Sequence, residues 1–107
     1  MKKDKTITPA YVLRLYITGA SPNSVKAVNN IKFICDKYLK DKYELEIIDV
    51  YQQPLVAKSE QLIALPLLVK SYPLPVKKLI GNMSDTEKVL KQLELEMHIN
   101  NEVSDKK

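Results

Sequence analysis

Two serines, Ser21 and Ser24, stand where a chain could carry redox-active cysteines. They follow a β-forming run, YVLRLYITG at 11–19, and Pro22 directly after Ser21 indicates that a helix begins here. Cysteines at these two positions would make a Cys-x-x-Cys motif, because free N–H groups and the dipole at a helix N-terminus stabilise a thiolate. A serine hydroxyl has no redox chemistry, and no histidine is near in the sequence to activate it as a nucleophile. We therefore predict no catalytic residue at this turn.

The chain has one cysteine and one histidine. Cys35 shares a predicted helix face with Val28 and Ile31, so we expect a core residue and not a reactive thiol. His98 has no Cys, His or carboxylate at metal-ligand spacing. We therefore predict neither a metal site nor a cofactor. A redox protein that uses Cys35 alone stays open as an alternative, and it would require a thiolate at neutral pH.

The 107 residues are enough for one compact domain, which we place at 10–97 between an N-terminal tail at 1–9 and a flexible C-terminal tail at 98–107. Hydrophobic residues make up 45% of the chain, yet no apolar run is long enough to cross a bilayer. The opening residues, MKKDKT, contain no apolar h-region. We expect a cytoplasmic protein without membrane contact.

The net charge of +4 raises the question of nucleic-acid binding. Acidic and basic side chains are mixed along the body of the chain, where Lys77-Lys78 is the only adjacent basic pair. No basic stripe interleaved with aromatic residues is present in the sequence. This pattern is typical of an ordinary mixed surface, and we expect no nucleic-acid partner.

The first half of the chain predicts a strand, a helix and a second strand. Residues 11–17 are β-forming and apolar on both faces apart from Arg14, which is typical of a buried central strand. Ser21 is the expected N-cap of a helix that runs to about Lys40. Residues 43–50 form the next strand, so the three elements predict a right-handed parallel βαβ unit. The helix residues expected to face inward are Val25, Val28, Ile31, Cys35 and Leu39.

The second half predicts a short helix at 55–63, strands at 65–69 and 76–80, and a final helix. The strands are separated by a turn at 72–75 that contains Pro73 and Pro75. Ser84 with Glu87 three residues later predicts a capping box. The residues expected to face inward are Leu55, Val56, Ser59, Leu62 and Ile63 on the short helix, and Val89, Leu90, Leu93 and Met97 on the final one.

This order of elements predicts an α/β protein of the thioredoxin-like type, βαβ followed by αββα, with strand order 2-1-3-4. Pro66 then enters the third strand beside the turn formed by residues 21–24. Thioredoxins place a cis proline at this point, whereas most X-Pro bonds in folded proteins are trans. Both isomers of the Leu65-Pro66 bond stay open at this stage.

Five sequence blocks carry a family resemblance. The chain resembles the circadian-clock protein KaiB family over about residues 10–97, as a free-standing member and not as the sensor domain of a histidine kinase. The matching blocks occur in the family's order and nearly without gaps. They are YVLRLYITG at 11–19, SPNSVKAV at 21–28, YELEIIDVYQQP at 43–54, ALPLLVKSYPLPVKKLIG at 64–81 and MSDTEKVL at 83–90.

The resemblance implies a non-catalytic binding protein. KaiB-like proteins bind the ring ATPase KaiC and change its phosphorylation and its other partners, so a KaiC-like ATPase is the expected partner here. The family also implies a homo-oligomer, a dimer or a tetramer. A stress-related adaptor on the same scaffold, without a clock role, stays open as an alternative.

The resemblance further implies two folds for the second half of the chain. One is the thioredoxin-like order, and the other rearranges the second half as βααβ. Residues that belong to this switching segment are Pro66, Pro73, Pro75, Gln92 and Glu94. The family commonly has glycine at position 92, and glutamine is better in a helix by roughly 0.5–1 kcal/mol, so we expect this chain to favour the thioredoxin-like state more than its relatives do.

We place the expected partner surface on the second strand and the turn that follows it. An edge strand is a natural docking element, although the same residues also fit an ordinary solvated surface. The residues of this surface are Lys42, Glu46, Asp49, Tyr51 and Gln53. Glu46 stands where the family usually has a basic residue, and both an interface role and a solvated strand position stay open for it.

Overall fold

The computed structural model describes residues 9–59 and 65–95, and within them four strands and three helices follow one another as β1, α1, β2, α2, β3, β4 and α3. One sheet has the order β2-β1-β3-β4, with β1 parallel to β2 and antiparallel to β3. The thioredoxin-like prediction is therefore confirmed, including its second half. The bounds are β1 Tyr11–Ile17, α1 Pro22–Tyr38, β2 Tyr43–Asp49, α2 Pro54–Ser59, β3 Leu67–Tyr72, β4 Lys77–Ile80 and α3 Thr86–Gln92.

Strand β1 is the centre of the sheet because it is apolar on both faces. Leu13 and Leu15 are fully buried on one face, and Tyr16 is buried on the other. Arg14 is the exposed exception, as the sequence predicts. Strands β2 and β4 are the two edges, so the predicted position of β2 at the outside of the sheet is confirmed.

Helices cover the two faces of the sheet unequally. On the α1 face, helices α1 and α3 pack over the larger core, which includes Leu13, Leu15, Leu68 and Leu79. On the α2 face, a smaller cluster of Tyr16, Ile48, Val50 and Leu67 packs with Val56 of helix α2. Among the described residues, no helix is both long enough and apolar enough to cross a bilayer.

Helix α1 begins as predicted, with Ser21 as its N-cap and Pro22 at its first position. It ends at Tyr38, two residues earlier than expected. The prediction that Val25 faces inward is wrong, because this side chain is 45% exposed. Val25 lies about 120° around the helix from Ile31, which is at the centre of the buried side. Ala27 and Ile34 are buried instead.

Helix α2 is shorter than predicted, and the residues that face the sheet are not all the predicted ones. Leu55 is 77% exposed and Ser59 is exposed, so the expectation that both face inward is wrong. Val56 is half-buried against the α2-face cluster, in agreement with the prediction. A helix of six residues has fewer than two turns and can bury only a narrow stripe. Leu62 and Ile63 lie outside the described residues.

The capping box predicted for the last helix is wrong by one residue. Asp85, not Ser84, is the N-cap of α3, and its carboxylate accepts a hydrogen bond from the backbone N–H of Lys88 at 3.1 Å. The N–H of Ser84 donates to the side chain of Asn82, so Ser84 belongs to the preceding loop. Both residue types are good N-caps, so the sequence pattern does not choose between neighbours.

The inward face of α3 agrees with the prediction as far as the structure describes it. Val89, Leu90 and Leu93 are buried. Met97 lies outside the described residues. Strand β3 begins two residues later and ends three residues later than predicted, at Tyr72. The Leu65-Pro66 peptide bond is cis, as are the bonds that precede Pro73 and Pro75.

Candidate functional site

The turn between β1 and α1 is a compact cluster of hydroxyl groups. Ser21 donates from its hydroxyl to the Ser24 hydroxyl at 2.8 Å, and the backbone N–H of Thr18 donates to the same Ser24 oxygen at 3.0 Å. Ser24 is fully buried, and the Thr18 hydroxyl lies within hydrogen-bond distance of both serines. The N–H of Ser24 donates back to Ser21, which completes the N-cap of the helix.

These hydrogen bonds give the two serines a structural role. Within the described residues, the partners of both hydroxyls are other hydroxyls and backbone amides, and none is a histidine or a carboxylate. A serine nucleophile requires a base that accepts its proton. The cluster joins the end of β1 to the first turn of α1. Sequence reasoning missed Thr18, although a third hydroxyl residue three positions before the N-cap is visible in the sequence.

Cys35 is fully buried inside the α1-face core. Burial, together with the neighbouring Asp36 charge, raises the pKa of the thiol from 9.0 to about 12. At neutral pH the side chain is therefore a protonated thiol without contact to solvent. The prediction that Cys35 is a core residue is confirmed.

The expected partner residues are not all brought together. Lys42 precedes β2, whereas Tyr51 and Gln53 follow it. A strand of seven residues is about 23 Å long, so Lys42 lies at the opposite end of the edge from the other two. Lys42, Tyr51 and Gln53 are all exposed. The part of the surface that forms one patch is therefore the turn after β2.

Asp49 organises that turn and is only half-exposed. Its carboxylate Oδ1 accepts hydrogen bonds from the backbone N–H groups of Gly19 and Tyr51, both at 2.9 Å. Its backbone carbonyl accepts from the N–H of Gln53 at 3.0 Å. Asp49 thus connects the loop after β1 with the turn after β2, and it acts as a positioning residue for its neighbours.

Tyr51 is the most prominent side chain of the turn, with 74% of its surface exposed. Its ring lies against Gly19, where a Cβ atom would approach ring atom Cδ2 to 3.1 Å. Gly19 has a φ of +57°, so glycine is favoured here both by conformation and by space. Next to this contact, Ile17, Gly19, Val25 and Val28 line a shallow, mainly apolar groove of about 230 Å³.

Glu46 is partly exposed to solvent and also forms an ion pair within its own sheet. It is paired with Arg14 across β1 and β2, and their side chains form an ion pair with an Nε–Oε1 distance of 3.4 Å. Both side chains are about half exposed, so the pair adds at most about 1 kcal/mol to stability. The acidic residue at position 46 therefore fits the arginine on its own neighbouring strand.

Two of the predicted switching residues, Pro73 and Pro75, lie in the turn between β3 and β4. Lys70 of β3 is only 1% exposed, and its ammonium donates hydrogen bonds to the backbone carbonyls of Pro73 and Pro75. Burial lowers the pKa of Lys70, while the nearby Glu94 carboxylate acts in the opposite direction. Lys70 was not predicted, although it follows Leu68 by two residues, and strand alternation places both on the same face.

Gln92 is exposed at the last position of α3, and Glu94 follows it with a φ of +58°. A non-glycine residue in this left-handed conformation is uncommon. The Glu94 carboxylate lies 3.5 Å from the ammonium of Lys77 on β4. The end of α3 is thus connected to the beginning of β4, and Pro66 lies at the other end of β3.

Sequence comparison identifies the protein family of this chain. The family model described as the KaiB domain matches residues 14–95. This chain belongs to the KaiB family. The circadian clock protein KaiB3 of Synechocystis sp. is 50% identical over 84 residues, which cover 78% of this chain and 82% of the relative. The circadian clock oscillator protein KaiB of Prochlorococcus marinus subsp. pastoris is 45% identical over 85 residues, or 79% of each chain.

Solved structures support the architecture of this KaiB family member. The N-terminal domain of Synechococcus elongatus SasA matches with a TM-score of 0.66 at 23% identity, and covers 85% of this chain and 89% of that domain. Mitochondrial thioredoxin 3 of Saccharomyces cerevisiae matches with a TM-score of 0.62 at 17% identity, and covers 85% and 86%. At these identities the similarity shows a shared fold.

Proposed function

We propose that this KaiB family member is a non-catalytic regulatory protein of a clock-type system. It acts by binding a KaiC-like ring ATPase in the cytoplasm, which changes the phosphorylation state of the ATPase or its recruitment of other partners. The match of residues 14–95 to the KaiB domain, together with clock proteins at 45% and 50% identity, is the observation that supports this proposal most directly.

The chemistry of the turn agrees with a binding role. The hydroxyls of Ser21 and Ser24 cap a helix, and the Cys35 thiol is buried with a pKa raised to about 12. A thiol with such a pKa is almost entirely unreactive at neutral pH. Surface complementarity then remains the way in which the described residues act on another molecule.

The contact surface that we propose is the β2 edge with the following turn. Tyr51 and Gln53 present exposed side chains there, and Asp49 holds the turn in place through its hydrogen bonds to Gly19 and Tyr51. A large aromatic side chain on an organised turn has the properties of a binding hot spot. Lys42 and Glu46 extend the surface along the strand toward its other end.

We also propose that the segment with Pro66, Pro73, Pro75, Gln92 and Glu94 takes part in a change of fold, and that the chain self-associates as a dimer or a tetramer. Two packings of one half must differ by only a few kcal/mol for both to be populated. Gln92 in helix α3 supports a bias of this chain toward the thioredoxin-like state. Association would stabilise whichever state forms the oligomer.

The test is binding to a KaiC-like ATPase encoded in the same genome, measured by native mass spectrometry with ATP and with ADP. We expect a complex with the wild-type chain, and at least a tenfold loss of affinity for Tyr51→Ala, because hot-spot aromatic residues contribute 2 kcal/mol or more. Lys88→Ala on α3 is the matched control, since this exposed residue lies on a different element. The phosphorylated fraction of the ATPase is measured in parallel.

Three outcomes separate the alternatives. Binding that is lost with Tyr51→Ala and kept with Lys88→Ala supports both the partner and the surface. Binding that is equal for all variants supports the partner and contradicts the surface. An absence of binding with either nucleotide contradicts the clock proposal and favours an adaptor with other partners.

A further inference from the structure

The outer side of helix α1 combines an exposed aromatic residue with positive charge. Residues 22–40 contain four lysines and one aspartate, a net charge of +3, which is most of the +4 of the whole chain. These lysines are dispersed in the sequence, so they do not form a continuous basic run. They are Lys26, Lys32 and Lys37 on α1 and Lys40 in the turn that follows it, and all four are exposed.

Phe33 lies near the middle of this outer side. Its side chain is 59% exposed, and helical geometry places it about 160° around α1 from Ile31, which is fully buried. Phe33 belongs to neither core cluster. The Lys37 ammonium lies 5.7 Å from the centre of the Phe33 ring and 5.3 Å from the centre of the Tyr38 ring. These contacts hold one cation beside an exposed aromatic surface.

Lys26, Phe33 and Lys37 form one row along the helix, which we call the α1 stripe. Steps of seven and four residues rotate by about 20° and 40° around a helix, so the three side chains lie within about 40° of one another. The row is about 16 Å long, because each residue advances the helix by about 1.5 Å. The α1 stripe thus has an apolar group with a cation on each side.

The stability of the helix does not explain these cations. The ion pairs seen within residues 9–59 and 65–95 include neither Lys26 nor Lys37. Asp36 is close in sequence, but its carboxylate accepts a hydrogen bond from the Tyr43 hydroxyl at 2.7 Å. The first turn of α1 contains no acidic residue, and Lys26 follows in the second turn. The helix macrodipole favours negative charge at this end, so the lysine is placed against it.

We propose that the α1 stripe binds an acidic amphipathic helix of a partner protein. An apolar residue of that helix packs on Phe33, and its carboxylates pair with Lys26 and Lys37. Two packed helices lie side by side at about 8–10 Å, so the partner repeats the spacing of the α1 stripe. It therefore carries Asp or Glu four and seven residues from its apolar residue. This contact is separate from the β2 edge and does not depend on binding to the ring ATPase.

The charges around the α1 stripe favour a protein partner over a nucleic acid or a membrane. Asp36 is exposed beside the stripe, and residues 41–50 contain four acidic side chains and one lysine. A continuous phosphate backbone or an anionic lipid surface would extend over these carboxylates and be repelled by them. A helix can confine its negative charge to one row, so it meets the lysines without meeting the acidic strand.

The experiment titrates the full chain into a labelled synthetic helical peptide and measures fluorescence anisotropy. The peptide has one leucine, glutamates four and seven residues to either side of it, and alanine or glutamine elsewhere, so it serves both helix directions. We expect binding by the wild type, weakened about fivefold or more by Phe33→Ser and by Lys26→Glu. Leu55→Ser on α2 and Lys91→Glu on α3 are the matched controls, since both residues are exposed on other elements, and they leave binding unchanged.

A charge exchange separates a direct contact from a structural effect. A peptide with lysines at the two positions seven residues from leucine should bind Lys26→Glu more tightly than it binds the wild type. Three results would overturn the proposal. They are no binding of the matched peptide, equal binding of a peptide whose glutamates lie two and five residues from leucine on the other side of its helix, and tighter Phe33-dependent binding of oligothymidylate or of phosphatidylglycerol vesicles.

Discussion

Replacing Lys70 by methionine tests whether a buried ammonium holds the β3–β4 turn together. Methionine has a similar length and no donor, so the carbonyls of Pro73 and Pro75 both lose their partner. A hydrogen bond from a charged donor contributes about 1.5–3 kcal/mol, and an acceptor left without a partner costs about 1–3 kcal/mol. Pro73 is half-buried and Pro75 is exposed, so water can replace part of the lost bonding, and the cost is set mainly by the two hydrogen bonds from the charged donor.

Part of this loss is offset, because burial already disfavours the charged form of Lys70 and lowers its pKa. Replacing a complete buried ion pair with apolar residues is often neutral, but here one partner is removed while both acceptors stay. We expect a net decrease of about 2–4 kcal/mol in the free energy of unfolding, which corresponds to a melting temperature lower by roughly 10 °C or more.

Urea denaturation gives the global effect, and amide hydrogen exchange locates it. The N–H groups of β4 should lose protection before those of β1, because β1 is the central strand and β4 is an edge. Lys78→Met is the matched control: Lys78 is exposed on β4, so we expect a change within about 0.5 kcal/mol. A Lys70→Met protein as stable as wild type, or one that loses protection uniformly, would refute this reasoning.

Three further predictions concern the core thiol and the last helix. The pKa of the Cys35 thiol is about 12 in the folded protein and about 9 in the unfolded chain, so the unfolded chain loses this proton first as the pH rises above 9. The free energy of unfolding should therefore fall by about 1.4 kcal/mol per pH unit between pH 9 and pH 12. Urea titrations should show a steeper decline for the wild type than for Cys35→Ala. Asp85→Ala should cost about 1 kcal/mol of stability and Ser84→Ala less than about 0.5, with equal losses contradicting the assigned N-cap. Gln92→Gly should cost up to about 0.5 kcal/mol in thermal unfolding, because residue 92 is the last residue of α3 and not an interior one, and an unchanged protein would show that residue 92 does not bias the fold.

The first half of the fold was predictable because its signals are local and agree with one another. Tyr11–Ile17 is apolar on both faces, which is typical of a central strand, and Ser21 with Pro22 specifies where a helix begins. The second strand, on which we expected a partner surface, lies at the edge of the sheet. Which of the expected partner residues lie near one another depended on strand length, so Lys42 proved to be remote from Tyr51.

The errors occur where two neighbouring choices have nearly the same local preference. Ser84 and Asp85 are both good helix caps, and the position of α3 against the sheet selects Asp85. Leu55 and Val56 are both apolar, and only the contact of α2 with the sheet decides that Val56 turns inward. Periodicity defines a stripe on a helix, while the neighbouring element determines which stripe is buried.

By itself, the amino-acid sequence determined the order of the elements, the absence of a thiol pair at the β1–α1 turn and the burial of Ile31, Cys35 and Leu39. Those properties follow from residue types and short spacings, which do not depend on how distant segments meet. The tertiary structure alone decided the roles of three polar residues, because each role consists of a contact with another part of the chain. Asp49 contacts Gly19, Glu46 contacts Arg14, and Lys70 contacts the carbonyls of Pro73 and Pro75. Hydrogen bonds and ion pairs act only over a few ångströms, so their partners are defined only once the chain has folded.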